Sequence, residues 1–297
     1  MNNGKLKKES KLCCFVIIVL MFLCVVPMIL VLSSSLSTEE DIIKYGYSFV
    51  PRHFSPDTYV FMFANKGKMI LNSLWMSVRT VLCGTLYTLV ITVCFAYAVS
   101  QKKKVFRFAK PLSFFAWFTT IFSGGVLPWY IMCSQYYGLR NNAWALFIPY
   151  GISVWNMFIV RGAFRSIPEE IFESARLDGA SDFRCFVSIA IPLAKSGIVT
   201  VALFSVLTYW NDFHLSQWLI TKADFYTLQK LLYSMLSSAS FLLQNSTGME
   251  SILSNIQIPA ETAKMAVAVI AIAPILVAYP FFFRYFVKGI NVGGIKG

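Results

Sequence analysis

The sequence predicts an all-α polytopic membrane protein, and three observations carry that prediction. Only 13% of its residues are charged while 57% are hydrophobic, whereas a soluble globular chain is about a quarter charged. Six apolar runs, at about 13–33, 71–99, 111–133, 143–161, 196–219 and 263–286, reach the roughly 20 residues that cross a hydrocarbon core. Lysine and arginine are also divided unevenly among the connections between those runs. In lipid only helices and closed barrels satisfy their backbone polar groups. The runs are continuously apolar rather than alternating, which excludes the barrel.

Lys5, Lys7, Lys8 and Lys11 precede the first run, as they would in a signal peptide. Its apolar length exceeds the usual core of such a peptide, and "LVLSSSLS" is a weak cleavage site. It reads as an uncleaved first helix. Residues 34–70 form a first outer connection, with turn signals in "STEED" and "FVPRHFSPDTY". The second run carries Arg79 in its interior, explained at this level only by snorkelling to the outer interface. "QKKKVFR" at 101–107 is a tight basic inner turn, and "CSQYYGLRNN" at 133–142 a short outer one. Residues 220–262 form a second long outer connection. Within it Leu228, Leu231, Leu232, Met235, Leu236, Ala239 and Leu242 keep helical spacing, a stripe that packs on its own helices or meets an outer partner. A sequon, "NST", stands at 245–247. No repeat or soluble domain interrupts the chain, so residues 1–297 read as one membrane domain.

The net charge of +12 invites a nucleic-acid reading, but its distribution opposes one. Connections 1–12, 101–110, 161–195 and 284–297 hold 17 basic residues, and 34–70, 134–142 and 220–264 hold 8. The richer set belongs on the cytoplasmic side, which places both termini inside, as six spans require. The seven cysteines lie mostly within runs and show no disulfide or metal spacing, so they read as small packing residues. His53 and His214 lack a second ligand nearby, and no nucleotide-binding or hydrolytic motif occurs. The sequence predicts no catalytic residue, no metal site and no cofactor in this chain.

One inner connection is unlike the others. "SIPEEIFESARLDGASDFRCFVSIAIPL" (166–193) is charged, patterned for helix and broken by a glycine. Ser166 with Glu169 suggests a capping box around Pro168, and a helix over about 167–178 with Ile171, Phe172 and Ala175 on one face. Gly179 stops it in a left-handed conformation. A second short helix follows, capped by Ser181 or Asp182, with Phe183, Phe186, Val187 and Ala190 along one side and Pro192 at its end. A solvated connector needs no apolar face. Apolar faces beside carboxylates suit docking into a cleft of another protein.

"ESARLDGASDFRCFVSIAIPL" resembles the EAA loop of type I ABC-importer permeases: Glu173, Ala175, Asp178, Gly179, Ala180 and Pro192 match, and Ser174 replaces the middle alanine. "NSLWMSV", "AYAVSQ", "IVRGAFRSIPEE", "YWNDF" and the C-terminal "RYFVKGINVGGIKG" are similar to the carbohydrate branch, which includes the maltose-type permeases. "FSGGVLPWYIMCSQYYGLRNNAWALFIPYGISVWN" is most similar to permeases for oligosaccharides or polysaccharide fragments. The resemblance implies a coupling helix whose Glu170, Glu173, Ser174, Ala175, Asp178, Gly179, Ala180 and Phe183 meet an ATPase. It also implies a second permease as heterodimer partner, two ATP-binding subunits that hold ATP and Mg, an extracytoplasmic sugar-binding protein, and a place in the bacterial cytoplasmic membrane.

Tyr209, Trp210, Asn211, Asp212 and His214 combine rings, an amide and a carboxylate inside the fifth run. They read either as a substrate pathway or as a polar cluster that fixes helix contacts. Trp117, Trp129 and Trp155 read as packing or interface-belt residues. Two competing functions remain: a peptide or amino-acid importer subunit, and an autonomous secondary transporter, which would show more intramembrane charge.

The basic asymmetry yields a direct test. In a cysteine-free background, Lys104→Cys and Ala180→Cys should react with an impermeant thiol reagent only from the cytosolic side. Asp57→Cys and Asn245→Cys should react only from outside. Labelling of position 180 from outside would overturn the topology.

Overall fold

A computed structural model of the chain describes residues 3–102, 105–245 and 260–293. The sequon at 245–247 and the motif at 284–297 fall wholly or partly outside the described residues. In chain order the main helices are α1 (Asn3–Ser35), α2 (Glu39–Tyr45), α3 (Asp57–Ser100), α4 (Ala109–Ile121), α5 (Val126–Tyr136) and α6 (Val154–Arg165). They continue with α7 (Glu169–Leu177), α8 (Asp182–Leu193), α9 (Lys195–Asn211), α10 (His214–Leu219), α11 (Leu228–Asn245) and α12 (Ala260–Gly293). The described residues contain no strand, only an isolated bridge between Ser37 and Phe54.

The helices depart from the predicted runs where the chain offers specific reasons. α3 starts at Asp57, well before the predicted residue 71. No proline interrupts 57–100, and Gly67 between Lys66 and Lys68 costs a helix only about 1 kcal/mol against alanine. Among the described residues two helices, Cys13–Ser35 and Asp57–Ser100, are long and apolar enough to cross a membrane on their own. The third and fourth runs are bent pairs rather than straight rods, and a further bend stands just before the fifth. Ser123–Gly125 turns α4 into α5 by 114°, the segment Ala143–Tyr150 meets α6 at 55°, and Ala194 turns α8 into α9 by 75°. The sixth run lies within α12, and the outer stripe at about 227–243 forms α11.

The chain divides into two compact units. The first comprises residues 1–68 and 232–275. From Cys13 to Ile29 the apolar side chains of α1 are almost all exposed, which is the pattern of a helix surrounded by lipid or by another chain. Beyond α1, Thr38 caps α2 and also donates to Asp41, whose carboxylate pairs with His53 at 2.9 Å. Glu39 caps α12: its oxygens accept the N–H groups of Glu261 and Thr262, both at 2.8 Å, and the Thr262 hydroxyl at 2.7 Å. A carboxylate placed there also meets the positive end of the helix dipole. Glu261 in turn accepts from Tyr47 and Lys264, each at 2.7 Å. Burial and this carboxylate push the Tyr47 hydroxyl up to about 12.

Among its described residues the second unit, residues 69–231 and 276–297, holds two apolar cores. One, at the Ser100 end of α3, joins Val99, Met157, Val160, Phe164, Ala190 and Val201. Close packing of α6 on α9 depends on Gly197, where an added Cβ would stand 2.7 Å from that of Ala163. Small residues give membrane helices this approach. The other core joins Met76, Leu146, Leu219 and Ile220. Asn141, at φ +55°, fastens the loops beside it: its side-chain oxygen accepts from Thr221 N (2.7 Å), Thr221 Oγ1 (3.0 Å) and Lys222 N (3.1 Å). Cys133 and Cys185 are buried, as packing residues should be. Cys13, Cys14, Cys24, Cys83 and Cys94 are exposed, so their apolar character serves the surface rather than this chain's core.

Candidate coupling surface and substrate cavity

The charged inner connection folds as two short helices around a glycine. α7 begins at Glu169 with Pro168 in the cap position. The expected capping box does not form. Ser166 donates to the Ala163 carbonyl at 2.8 Å and closes α6, while the Glu169 carboxylate pairs with Lys102 of the basic turn. A nearby ammonium is a stronger partner for a carboxylate than a backbone N–H. The same contact raises the Lys102 pKa.

At the other end of α7 the chain reverses in a Schellman turn. Gly179 stands at φ +81°, its N–H bonded to Arg176 O at 3.0 Å and the Ala180 N–H to Ala175 O at 2.9 Å. The Arg176 guanidinium reaches across the turn to Asp182, with Nε and Nη2 both 3.2 Å from one oxygen. Ser181 accepts the Arg184 N–H and starts α8. α8 loosens into a π turn over Phe186–Ala190 and ends at the bend, so Pro192 sits in its last turn rather than after it.

The two helices show different residues to the core and to solvent. Phe172 and Phe186 pack on the core beside Tyr97, with the Phe186 and Tyr97 ring centroids 4.7 Å apart, and Cys185 and Ala190 are buried. Leu177 is 89% exposed and Phe183 75%, and Ile171 is exposed as well. Glu170, Glu173, Ser174, Asp178 and Gly179 share that exposure, while Ala175 and Ala180 are half-buried. A firmly anchored turn therefore presents apolar side chains and carboxylates that this chain leaves uncovered.

The stretch 209–214 occupies two kinds of site. Tyr209 is buried, its hydroxyl shared between Thr88 Oγ1 at 2.8 Å and the Phe147 carbonyl at 3.1 Å. Its ring lies against Gly84, where a Cβ would come within 2.8 Å. Trp210 is buried, and its indole N–H has no partner among the described residues. Asp212 is buried where α9 ends: one oxygen accepts the Leu215 N–H at 3.1 Å, and the Tyr150 hydroxyl is its side-chain partner. Asn211 is exposed and bonded to Leu207 O, and His214 is exposed and stacked on Phe213.

Tyr209 also forms part of the wall of a cavity of about 580 Å³ between α6 and α9. Tyr150 and Trp155 line it with aromatic rings, and Ser153, Asn156 and Thr208 supply polar groups. Trp155 is 72% exposed, so of the two roles read for it, packing and interface belt, it does not fill packing within this chain. Thr208 and Ser205 donate to their own helix. Asn156 does not: the residue is 8% exposed, and its side-chain amide, with no hydrogen bond among the described residues, stands in the cavity lining. Sequence reasoning missed this residue, although an asparagine inside "SVWNMFIV" was a visible signal.

Residues 89–292 match the family described as "Binding-protein-dependent transport system inner membrane component". The chain belongs to this family. It is 33% identical, over 93% of each chain, to the polygalacturonan/rhamnogalacturonan transport system permease protein YtcP of Bacillus subtilis. It is 27% identical to the diacetylchitobiose uptake system permease protein NgcG of Streptomyces coelicolor, over 92% of this chain and 84% of that one. A solved bacterial ABC transporter involved in import of the acidic polysaccharide alginate contains a chain of the same fold. The TM-score is 0.80 at 23% identity, covering 96% of this chain and 99% of that one. The family is a membrane transport component, which agrees with the all-helical fold.

Proposed function

We propose that this chain is a permease subunit of an ABC importer that brings an oligosaccharide across the bacterial cytoplasmic membrane. Six spans place both termini and the α7–α8 turn in the cytosol. The turn is a coupling helix, and the observation that carries this reading is its uncovered face: Leu177, Phe183 and Ile171 beside Glu170 and Glu173. A cleft in an ATP-binding subunit covers that face. Glu173 meets a basic group of the cleft, and Gly179 gives the turn its shape.

A second permease completes the membrane pair, two ATP-binding subunits hold ATP and Mg, and an extracytoplasmic binding protein delivers the sugar. Closure of the ATPases, transmitted through the turn to α6 and α9, drives two-state alternating access. The relatives' carbohydrate names support a sugar as cargo, and no relative cited above supports the peptide alternative. The cavity between α6 and α9 is the sugar path in this chain: Tyr150 and Trp155 offer aromatic faces, and the Asn156 amide takes a sugar hydroxyl. Tyr209 and Asp212 hold its wall, with Trp210, Asn211 and His214 extending the path at the end of α9.

Glu173→Lys should abolish uptake by reversing the charge that faces the ATPase. Gly179→Asp should do the same by penalising the left-handed backbone by about 1–2 kcal/mol. Both proteins should still insert. Normal transport in membranes carrying either variant would reject the coupling assignment.

Asn156→Ala should raise the KM for uptake about fivefold, the equivalent of one hydrogen bond of about 1 kcal/mol. The assembled complex should be recovered in normal amounts. An unchanged KM, or loss of the complex, would remove Asn156 from the path.

A further inference from the structure

We infer that Arg79 anchors an anionic phospholipid in a groove on the second unit. α3 is unbroken from Asp57 to Ser100. At 1.5 Å per residue, Arg79 stands about 31 Å from Ser100, roughly one hydrocarbon thickness. Its level is therefore the outer headgroup boundary. Trp75, one turn farther out, is exposed there, where membrane proteins place their aromatic belts.

Among the described residues no hydrogen bond or ion pair reaches the Arg79 side chain, and Arg79 is exposed. It lines a groove of about 360 Å³ in which it is the sole charged side chain. On the α3 wall, Cys83, Leu86 and Val90 continue inward from it for about 16 Å. Trp144 and Phe147 form the opposite wall, their ring centroids 5.4 Å apart.

A cation above a long apolar trough matches a ligand with an anionic head and an aliphatic tail. Guanidinium groups bind phosphate oxygens in pairs through their planar fork, and cationic pockets between membrane helices hold anionic headgroups. A sugar fits less well, because besides the cation only Thr80, Tyr87 and the Trp144 indole offer hydrogen-bonding groups in a lining otherwise made of apolar side chains. The inference stands apart from the identity of the transported molecule.

Native mass spectrometry of the full-length chain in detergent tests it, with phosphatidylglycerol and phosphatidylcholine of the same acyl chains as probes. The unsubstituted protein should retain phosphatidylglycerol preferentially. Arg79→Gln should reduce that retention about tenfold, the loss expected for one charge-assisted contact. Leu86→Trp, which fills the trough and keeps the cation, should reduce it as well. Equal retention of the two lipids, or unchanged retention in both variants, would overturn the proposal. So would displacement of the lipid by a galacturonate trimer, which would make the groove a stretch of sugar path.

Discussion

The two backbone hydrogen bonds that close around Gly179 hold α7 and α8 at one fixed angle. The functional reading rests on that angle. The Arg176–Asp182 pair is exposed, and such pairs contribute little on their own. Its role is to select one geometry already favoured by the glycine. Because Phe172 and Phe186 sit in the same core as Val160 and Val201, the turn is continuous with the packing of α6 and α9. A push on its exposed face is therefore transmitted to those two helices rather than absorbed by a loose loop.

A second constraint governs the interior. Wherever an apolar run bends, the bilayer requires that the freed backbone groups find partners. Asp212 meets this need at the end of α9 by accepting the Leu215 N–H. Tyr209 meets it one turn earlier by donating to the Phe147 carbonyl. Tyr209 fixes a helix contact and lines the cavity at once, while Asp212 reaches that lining through Tyr150. The two readings of the 209–214 stretch are thus not exclusive: a buried hub can be structural at its back and form the wall of a path at its front.

Much of this was legible in the sequence. Apolar run length gave the helices, and Gly179 gave the turn, because a left-handed stop has a residue-type signature. The bends were not legible. Hydropathy sums composition over about 20 residues and does not register Ser123–Gly125 or Ala194 as corners. The capping box failed for a related reason: local spacing paired Ser166 with Glu169, but Lys102, distant in sequence, is the better partner. Asn156 was overlooked because one amide barely lowers the hydropathy of its run. Its significance appears only when its place in the cavity lining is known.

The central claim is that the face bearing Leu177 is covered by an ATP-binding subunit, and photo-crosslinking of the assembled importer tests it most directly. A benzophenone side chain placed at position 177 should capture the ATPase as its single protein partner. A crosslink to the extracytoplasmic binding protein, or none to the ATPase in an intact complex, would contradict the account.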